Sequence, residues 1–315
     1  MNGLKFGKYT FTCRLDAPAI LPAYKGSTFR GVFGLALKKV VCALKHQTCE
    51  TCQLRKRCLY TQVFETALAV QPPDGLRVSV APHPFVLQPS LSNRQAYPAG
   101  EALQCDLLLF GPVNENFSYF VYAFDQMGRI GIGRKINGKR AGFTLETVNH
   151  GEHVMYSANT RAIDQRRVAD SLTLTPGAVS SDDVLRLTVT LETPLRLKFK
   201  NRINNADLPF HVLIRAMLRR VSALFACYAG AEPALDYKGM LDRAASVKIV
   251  DGRLKWYSWQ RYSNRQKQRM PLGGMIGSVT YEGKLAEYLP LMNVCSHVHI
   301  GKNTSFGLGK LGFCL

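Results

Sequence analysis

The order strand, helix, strands, helix, strand, met twice along 315 residues, predicts an α+β chain of two tandem ferredoxin-like (RRM-like) βαββαβ domains. Two features carry this reading. Apolar spacing switches between period 2 and period 3.6 in that order, and a glycine-rich segment closes each half. Gly128-Arg129-Ile130-Gly131-Ile132-Gly133-Arg134-Lys135 ends Gly-Ile-Gly-Arg, and His299-Ile300-Gly301-Lys302-Asn303-Thr304-Ser305-Phe306-Gly307-Leu308-Gly309-Lys310 ends Gly-Leu-Gly-Lys. The first domain is expected over residues 1–160 with a cysteine-rich insert at about 42–58. Residues 161–183 read as a linker or peripheral hairpin, and residues 184–315 as the second domain.

Lys8 to Leu15 reads as the first strand. Ser27 or Thr28 then caps a helix whose stripe is Phe29, Phe33, Ala36, Leu37, Val40, Val41 and Leu44, ending at Lys45-His46. After the insert and a short helix from Leu59, Pro72-Pro73-Asp74-Gly75 makes a turn. Phe85–Leu87 and Leu103–Phe110 are strands; Phe117, Phe120, Val121, Phe124 and Met127 mark a helix stopped by Gly128. Phe143–Val148 completes the first set. In the second, Leu185, Leu187, Val189 and Leu191 alternate with polar residues as a half-buried strand. Asp207 caps a helix with the apolar face Leu213, Ile214, Met217, Leu218, Val221, Leu224, Phe225 and Tyr228. Asp251-Gly252 signals a hairpin. A strand near Val279, a short helix around Leu285–Leu289 and a strand at His297–Ile300 lead to the last loop.

Lys plus Arg is 41 against 22 for Asp plus Glu, a formal charge of +19, which calls for a polyanionic partner. No apolar run approaches a membrane span and the N-terminus lacks a secretory core, so a membrane partner is excluded and the cytoplasm expected. No Gly-Lys-Ser/Thr occurs, which excludes a phosphate-binding loop of the nucleotide-hydrolase type. A DNA-binding regulator is disfavoured by the lack of a recognition-helix motif.

The cationic residues fall in clusters. Glycine lets a backbone lie close against phosphates, and Lys302, Asn303, Thr304, Ser305 and Lys310 stand beside such a loop. Arg129, Arg134 and Lys135 flank its copy; the alternative is a tight turn between strands. Lys198, Lys200 and Arg202 lie in an acid-free loop, and His211, Arg215 and Arg219 recur four apart on one helix face. No acid occurs between Gly252 and Tyr281, where Trp259, Arg261, Tyr262, Arg265 and Lys267 interleave cations with aromatics, as single-stranded nucleic acid requires. A solvated basic edge is the plainer reading. Cys42, Cys49, Cys52 and Cys58, spaced C-x6-C-x2-C-x5-C, suit structural zinc, with an iron–sulfur cluster or unligated thiols as alternatives.

Taken together, the His299–Lys310 segment, Trp259-Gln260-Arg261-Tyr262-Ser263-Asn264-Arg265-Gln266, and Arg30-Gly31-Val32-Phe33-Gly34 leading into the cysteines resemble the repeat-cleaving endoribonucleases of CRISPR systems, members of the RAMP superfamily. The resemblance spans nearly the whole chain. It implies tandem ferredoxin-like domains, binding of CRISPR repeat RNA in the precursor, and one cut per repeat to give mature crRNA, which is often retained. A further implied partner is the set of other subunits of a CRISPR effector complex. Non-cleaving RAMP subunits that only bind crRNA share such glycine-rich loops and are the alternative.

RNA can be cut without metal when its 2′-hydroxyl attacks the adjacent phosphorus, which leaves a 2′,3′-cyclic phosphate and needs a base, an acid and cations. The resemblance implies a histidine near the first helix, assisted by Tyr or Lys. His46 is the first candidate, at a helix end whose dipole favours the protonated ring while neighbouring lysines oppose it. Tyr24, Lys39 and Lys45 are its helpers by proximity in sequence. His299, which as a strand residue would face away from His297, is the alternative catalyst.

Overall fold

The computed structural model describes residues 3–76, 78–166, 168–177, 184–199, 202–203, 207–263 and 268–315. It divides into two compact units, one of Leu4–Leu172 with Ala226–Ala229, the other chiefly of Thr173–Phe225 and Gly230–Leu315. Lys200, Arg265 and Lys267, expected to contact RNA, lie outside the described residues.

In the first unit the main elements are β1 (Leu4–Leu15), α1 (Gly26–Val41), β2 (Phe85–Pro89), β3 (Ala102–Phe110), α2 (Phe117–Ile130) and β4 (Phe143–His150). They form an antiparallel sheet in the order β2-β3-β1-β4. His153–Ser157 adds a strand beside β4, and Asp170–Leu172, from the segment read as linker, pairs with the start of β1. In the second unit β5 (Leu185–Leu195), α3 (Phe210–Tyr228), β6 (Lys248–Gly252), β7 (Gly274–Gly283), α4 (Leu289–Val298) and β8 (Leu311–Cys314) give the order β6-β7-β5-β8. In each, the first strand lies between the third and the fourth. Both units are ferredoxin-like.

Alternation along the central strand decides which face is buried. Tyr9, Phe11, Cys13 and Leu15 are buried while Lys8 and Arg14 are exposed. Phe11 stacks on Phe124 of α2 with ring centroids 3.7 Å apart, and Phe33 of α1 lies 5.5 Å from the same ring. Each such ring contributes about 1.5–3 kcal/mol by burial. On the opposite face Thr10 bonds Asp106 at 2.8 Å and Arg14 pairs with Glu146. β5 repeats the pattern: Leu187, Val189 and Leu191 are buried, Thr188 bonds Thr280 at 2.9 Å, and Arg186 pairs with Glu282 at 2.6 Å.

Four local expectations change. α1 stops at Val41, because Cys42 turns extended, so Lys45 and His46 lie beyond it. Gly128 is inside α2, not its end: a Cβ there would sit 1.9 Å from the Phe143 carbonyl oxygen, so glycine serves close packing on β4. Asp251-Gly252 makes no hairpin, since β6 and Lys255–Tyr257 both pair with the longer β7. The hairpin that does form joins Gln260–Ser263 to Gln268–Pro271. His297 and Val298 end α4 and His299 is its C-cap, so the predicted strand there is absent.

Candidate functional site

In the second unit the glycine-rich segment begins where α4 runs out. His299 takes φ 53° and is fully buried, its Nδ1–H donating to the Leu308 carbonyl at 3.1 Å. Arg220 of α3, itself buried, donates to the carbonyls of Val298 and His299 at 3.0–3.2 Å, two of the acceptors that a helix end leaves open. Burial pushes the His299 pKa down to about 3; the Leu308 carbonyl opposes this, and Arg220 and Lys310 reinforce it. A neutral ring, sealed from solvent and bonded through its N–H, is a structural post. This corrects the reading of His299 as the alternative catalyst.

A pH effect follows from its sign. The unfolded ring titrates near pH 6.5 and the folded one near 3. In that interval the unfolded chain binds the extra proton, so stability is complete above about 6.5 and declines as pH falls toward 3. His299→Asn, which keeps an N–H donor, is expected to shrink the difference between denaturation midpoints measured at about pH 7.5 and about pH 5. An unchanged difference would remove His299 as the cause.

The loop is tied to the end of β5. The Ile300 N–H bonds the Gly309 carbonyl at 3.0 Å, the Lys302 N–H that of Arg196 at 3.0 Å, and the Gly309 N–H that of Pro194 at 3.2 Å. The Thr193 hydroxyl donates to the Gly307 carbonyl and accepts from the Lys310 N–H. Thr304 and Ser305 are buried, and Lys310 is paired with Glu192 at 2.8 Å. These three therefore do not present free groups to RNA, a second correction. Lys302 is exposed and Asn303, at φ 64°, is half-buried.

Arg261 is placed differently from the surface cations. Its guanidinium lies 4.5 Å above the Phe306 ring of the loop and 3.5 Å from Met270 Sδ. Its Nε is buried with no acceptor among the described residues, and burial lowers its pKa. A desolvated cation in an acid-free stretch is stabilised by an incoming anion. Trp259 beside it is half-buried, Arg215 and Arg219 are exposed on α3, and His211 is half-buried at its start. Lys198, Arg202 and Tyr262 lie on the strands Lys198–Phe199, Arg202–Ile203 and Gln260–Ser263.

In the first unit the insert is a run of turns: the N–H groups of Gln47, Thr51, Arg55 and Arg57 each bond the carbonyl three residues back. His46, in the first turn, is exposed and makes no hydrogen bond or ion pair among the described residues. It is five positions past Val41, outside the last turn in which a helix dipole acts, so that part of the expectation fails. In the sequence around it Lys38, Lys39, Lys45, Arg55, Lys56 and Arg57 stand with Glu50, and Glu65 also lies near Cys49 of the insert. Lys39 and Lys45 are exposed; burial raises the Tyr24 pKa, which holds the phenol in its neutral form and makes it a weaker acid.

The thiols of Cys42, Cys49, Cys52 and Cys58 are free and half-buried. Among the described residues no group of three or more His, Cys, Asp or Glu side chains is gathered to hold a metal ion. Burial chiefly, with Glu65 and Cys58 nearby, raises the Cys49 pKa against the pull of Lys38. The arrangement lends the zinc expectation no support, and turn hydrogen bonds hold the insert.

The copy of the glycine segment leads into a hairpin, Ile132–Ile136 with Lys139–Ala141. Gly131 and Gly133 have φ 80°, matching Gly307 at 82° and Gly309 at 75°, and Ile132 and Leu308 between them are both fully buried. Arg129 is paired with Asp125 at 3.1 Å, while Arg134 and Lys135 are exposed. The exposed Lys139 and Arg140 opposite them were readable from the Asn137-Gly138 turn that sets them there. Arg220 and Thr193, which anchor the second loop, had no such local signal.

Comparison with known proteins now places the chain. Residues 4–168 match the family model AF_1859_N, an N-terminal domain, and residues 189–311 match CRISPR-associated endoribonuclease Cas6. An Archaeoglobus fulgidus protein described as uncharacterized is 23% identical over 293 residues, 92% of this chain and 91% of its own. A Cas6 product complex superposes over 100% of both chains with TM-score 0.55 at 13% identity. Thermus thermophilus Cas6 does so over 99% of each with TM-score 0.54 at 12% identity. At such identities the solved structures speak for the fold. No described helix is long and apolar enough to cross a membrane. With the AF_1859_N model covering β1 to β4, over half of the chain, and the Cas6 model running from β5 into β8, the chain carries an AF_1859_N N-terminal domain followed by a domain of the CRISPR-associated endoribonuclease Cas6 family.

Proposed function

We propose that this chain binds CRISPR repeat RNA and cuts it without a metal ion, the substrate's 2′-hydroxyl attacking the adjacent phosphorus. The O2′–P bond forms, the P–O5′ bond breaks, and the products are a 2′,3′-cyclic phosphate and a 5′-hydroxyl. His46 acts as general base or acid in this step, and Lys45 and Lys39 offset charge on the phosphorane. The observation that carries the proposal is His46 itself, an exposed imidazole uncommitted among the described residues in a segment rich in lysine and arginine. The outer faces of β1 and β5 present threonines and ion pairs, not the aromatic pair with which RNA-recognition sheets stack bases, so the RNA is gripped by loops and hairpins.

The test is incubation of cognate repeat RNA with the protein in excess chelator, with analysis of the product ends. A 2′,3′-cyclic phosphate supports the reading; tight binding with intact RNA supports the non-catalytic crRNA-binding alternative. Arg261→Ala is expected to weaken repeat RNA binding by about 10-fold, the roughly 1.5 kcal/mol of a charge-assisted bond, and to flatten its salt dependence. Unaltered affinity would mean that Arg261 meets no phosphate.

A further inference from the structure

We infer that the hairpin Ile132–Ile136/Lys139–Ala141 of the first unit is a phosphate-binding ribbon for the repeat RNA, separate from the cleavage residues; this rests on the proposed RNA-processing function. Asn137 and Gly138 close it at φ 49° and 80°, the pair of left-handed positions of a type I′ turn. Its root is fixed, because Ile132 and Ala141 are buried and a Cβ at Gly133 would lie 2.5 Å from the Ile20 carbonyl oxygen. Everything from Arg134 to Arg140 is exposed. The ribbon is anchored at one end and wet at the other.

Its cations differ from several others of the same unit. Lys5, Arg14, Arg94, Arg129 and Arg166 of the same unit are each ion-paired. Arg134, Lys135, Lys139 and Arg140 have no ion pair among the described residues, and no acid lies between Asp125 and Glu146. Four like charges on one short ribbon repel one another, which the fold alone does not require; lysine by itself suffices to keep a strand edge from pairing. Two of the four are arginines, whose fork matches phosphate oxygens. A polyanion removes the repulsion. The glycine segment that roots the ribbon is the counterpart of the loop beneath Arg261.

The experiment is a salt titration of affinity for a cognate repeat RNA, comparing the wild type with the quadruple variant Arg134→Gln, Lys135→Gln, Lys139→Gln, Arg140→Gln. Neutralised phosphates contribute about 0.7–0.9 each to the slope of log K against log salt, so the variant is expected to lose roughly 3 units of slope. A charge-keeping variant, Arg134→Lys with Arg140→Lys, should retain the slope. A quadruple variant, folded by circular dichroism, with wild-type slope and affinity overturns the inference and leaves the proposed function standing. A wild-type protein that does not bind repeat RNA overturns the proposed function first, and this inference with it.

Discussion

Replacing His46 by Ala is expected to lower the single-turnover rate of repeat cleavage by about 10²–10⁴-fold, the usual contribution of a positioned acid or base. Affinity for the uncut repeat should change by no more than about threefold, since one exposed ring among six cations is a minor share of the phosphate attraction. Thermal stability should not move, because His46 is exposed and makes no hydrogen bond or ion pair among the described residues. That separation of rate from binding and folding is the diagnostic: a structural role would alter stability, and a phosphate contact would alter affinity. Lys45→Ala, which removes a charge and not a proton carrier, should cost less in rate. Wild-type rates in the His46 variant would sink the assignment. They would not return it to His299, whose ring is sealed behind Leu308 and Arg220.

What the sequence discloses here follows the range of the forces involved. The βαββαβ order is legible because burial imposes period 2 on β5 and period 3.6 on α2, and Phe117, Phe120, Val121, Phe124 and Met127 are all buried. Ends are less legible: Leu44 continues the α1 stripe in register, yet the chain has already turned at Cys42. The short apolar run around Val298 reads equally as strand or helix, and only packing makes it the end of α4. Composition identifies the glycine-rich loop but misplaces the reason for its glycines. They fit the carbonyls of Ile300 and Arg196, and the loop's small polar residues Thr304 and Ser305 point inward. Cysteine spacing without a second C-x2-C pair is a weak metal signal, and no metal-holding group is gathered among the described residues. The cations of the Asn137-Gly138 hairpin needed only the turn signal, whereas the desolvation of Arg261 depends on Phe306, 45 positions away in the sequence, and is invisible without the fold.

Gly309→Ala is expected to destabilise the protein by about 2–5 kcal/mol, the sum of a strained backbone conformation and a steric overlap that the site cannot relax. Gly309 has φ 75°, and an added Cβ would fall 1.8 Å from the Ile300 carbonyl oxygen. Neither partner can yield cheaply: the Ile300 N–H is bonded to the Gly309 carbonyl, the Gly309 N–H to the Pro194 carbonyl, and the next residue to the Thr193 hydroxyl. Gly75→Ala supplies the control, because φ there is 82° with nothing within 4 Å, so it carries the backbone strain without the overlap. In urea titrations the Gly309 variant should unfold at a clearly lower concentration than the Gly75 variant. Any loss of RNA affinity in folded Gly309→Ala would report displacement of Phe306 from beneath Arg261, since the substituted residue itself is buried. Equal midpoints for the two variants would mean that the last loop is not anchored to β5 in the way its hydrogen bonds describe, and the cradle for Arg261 would have to be rebuilt on other contacts.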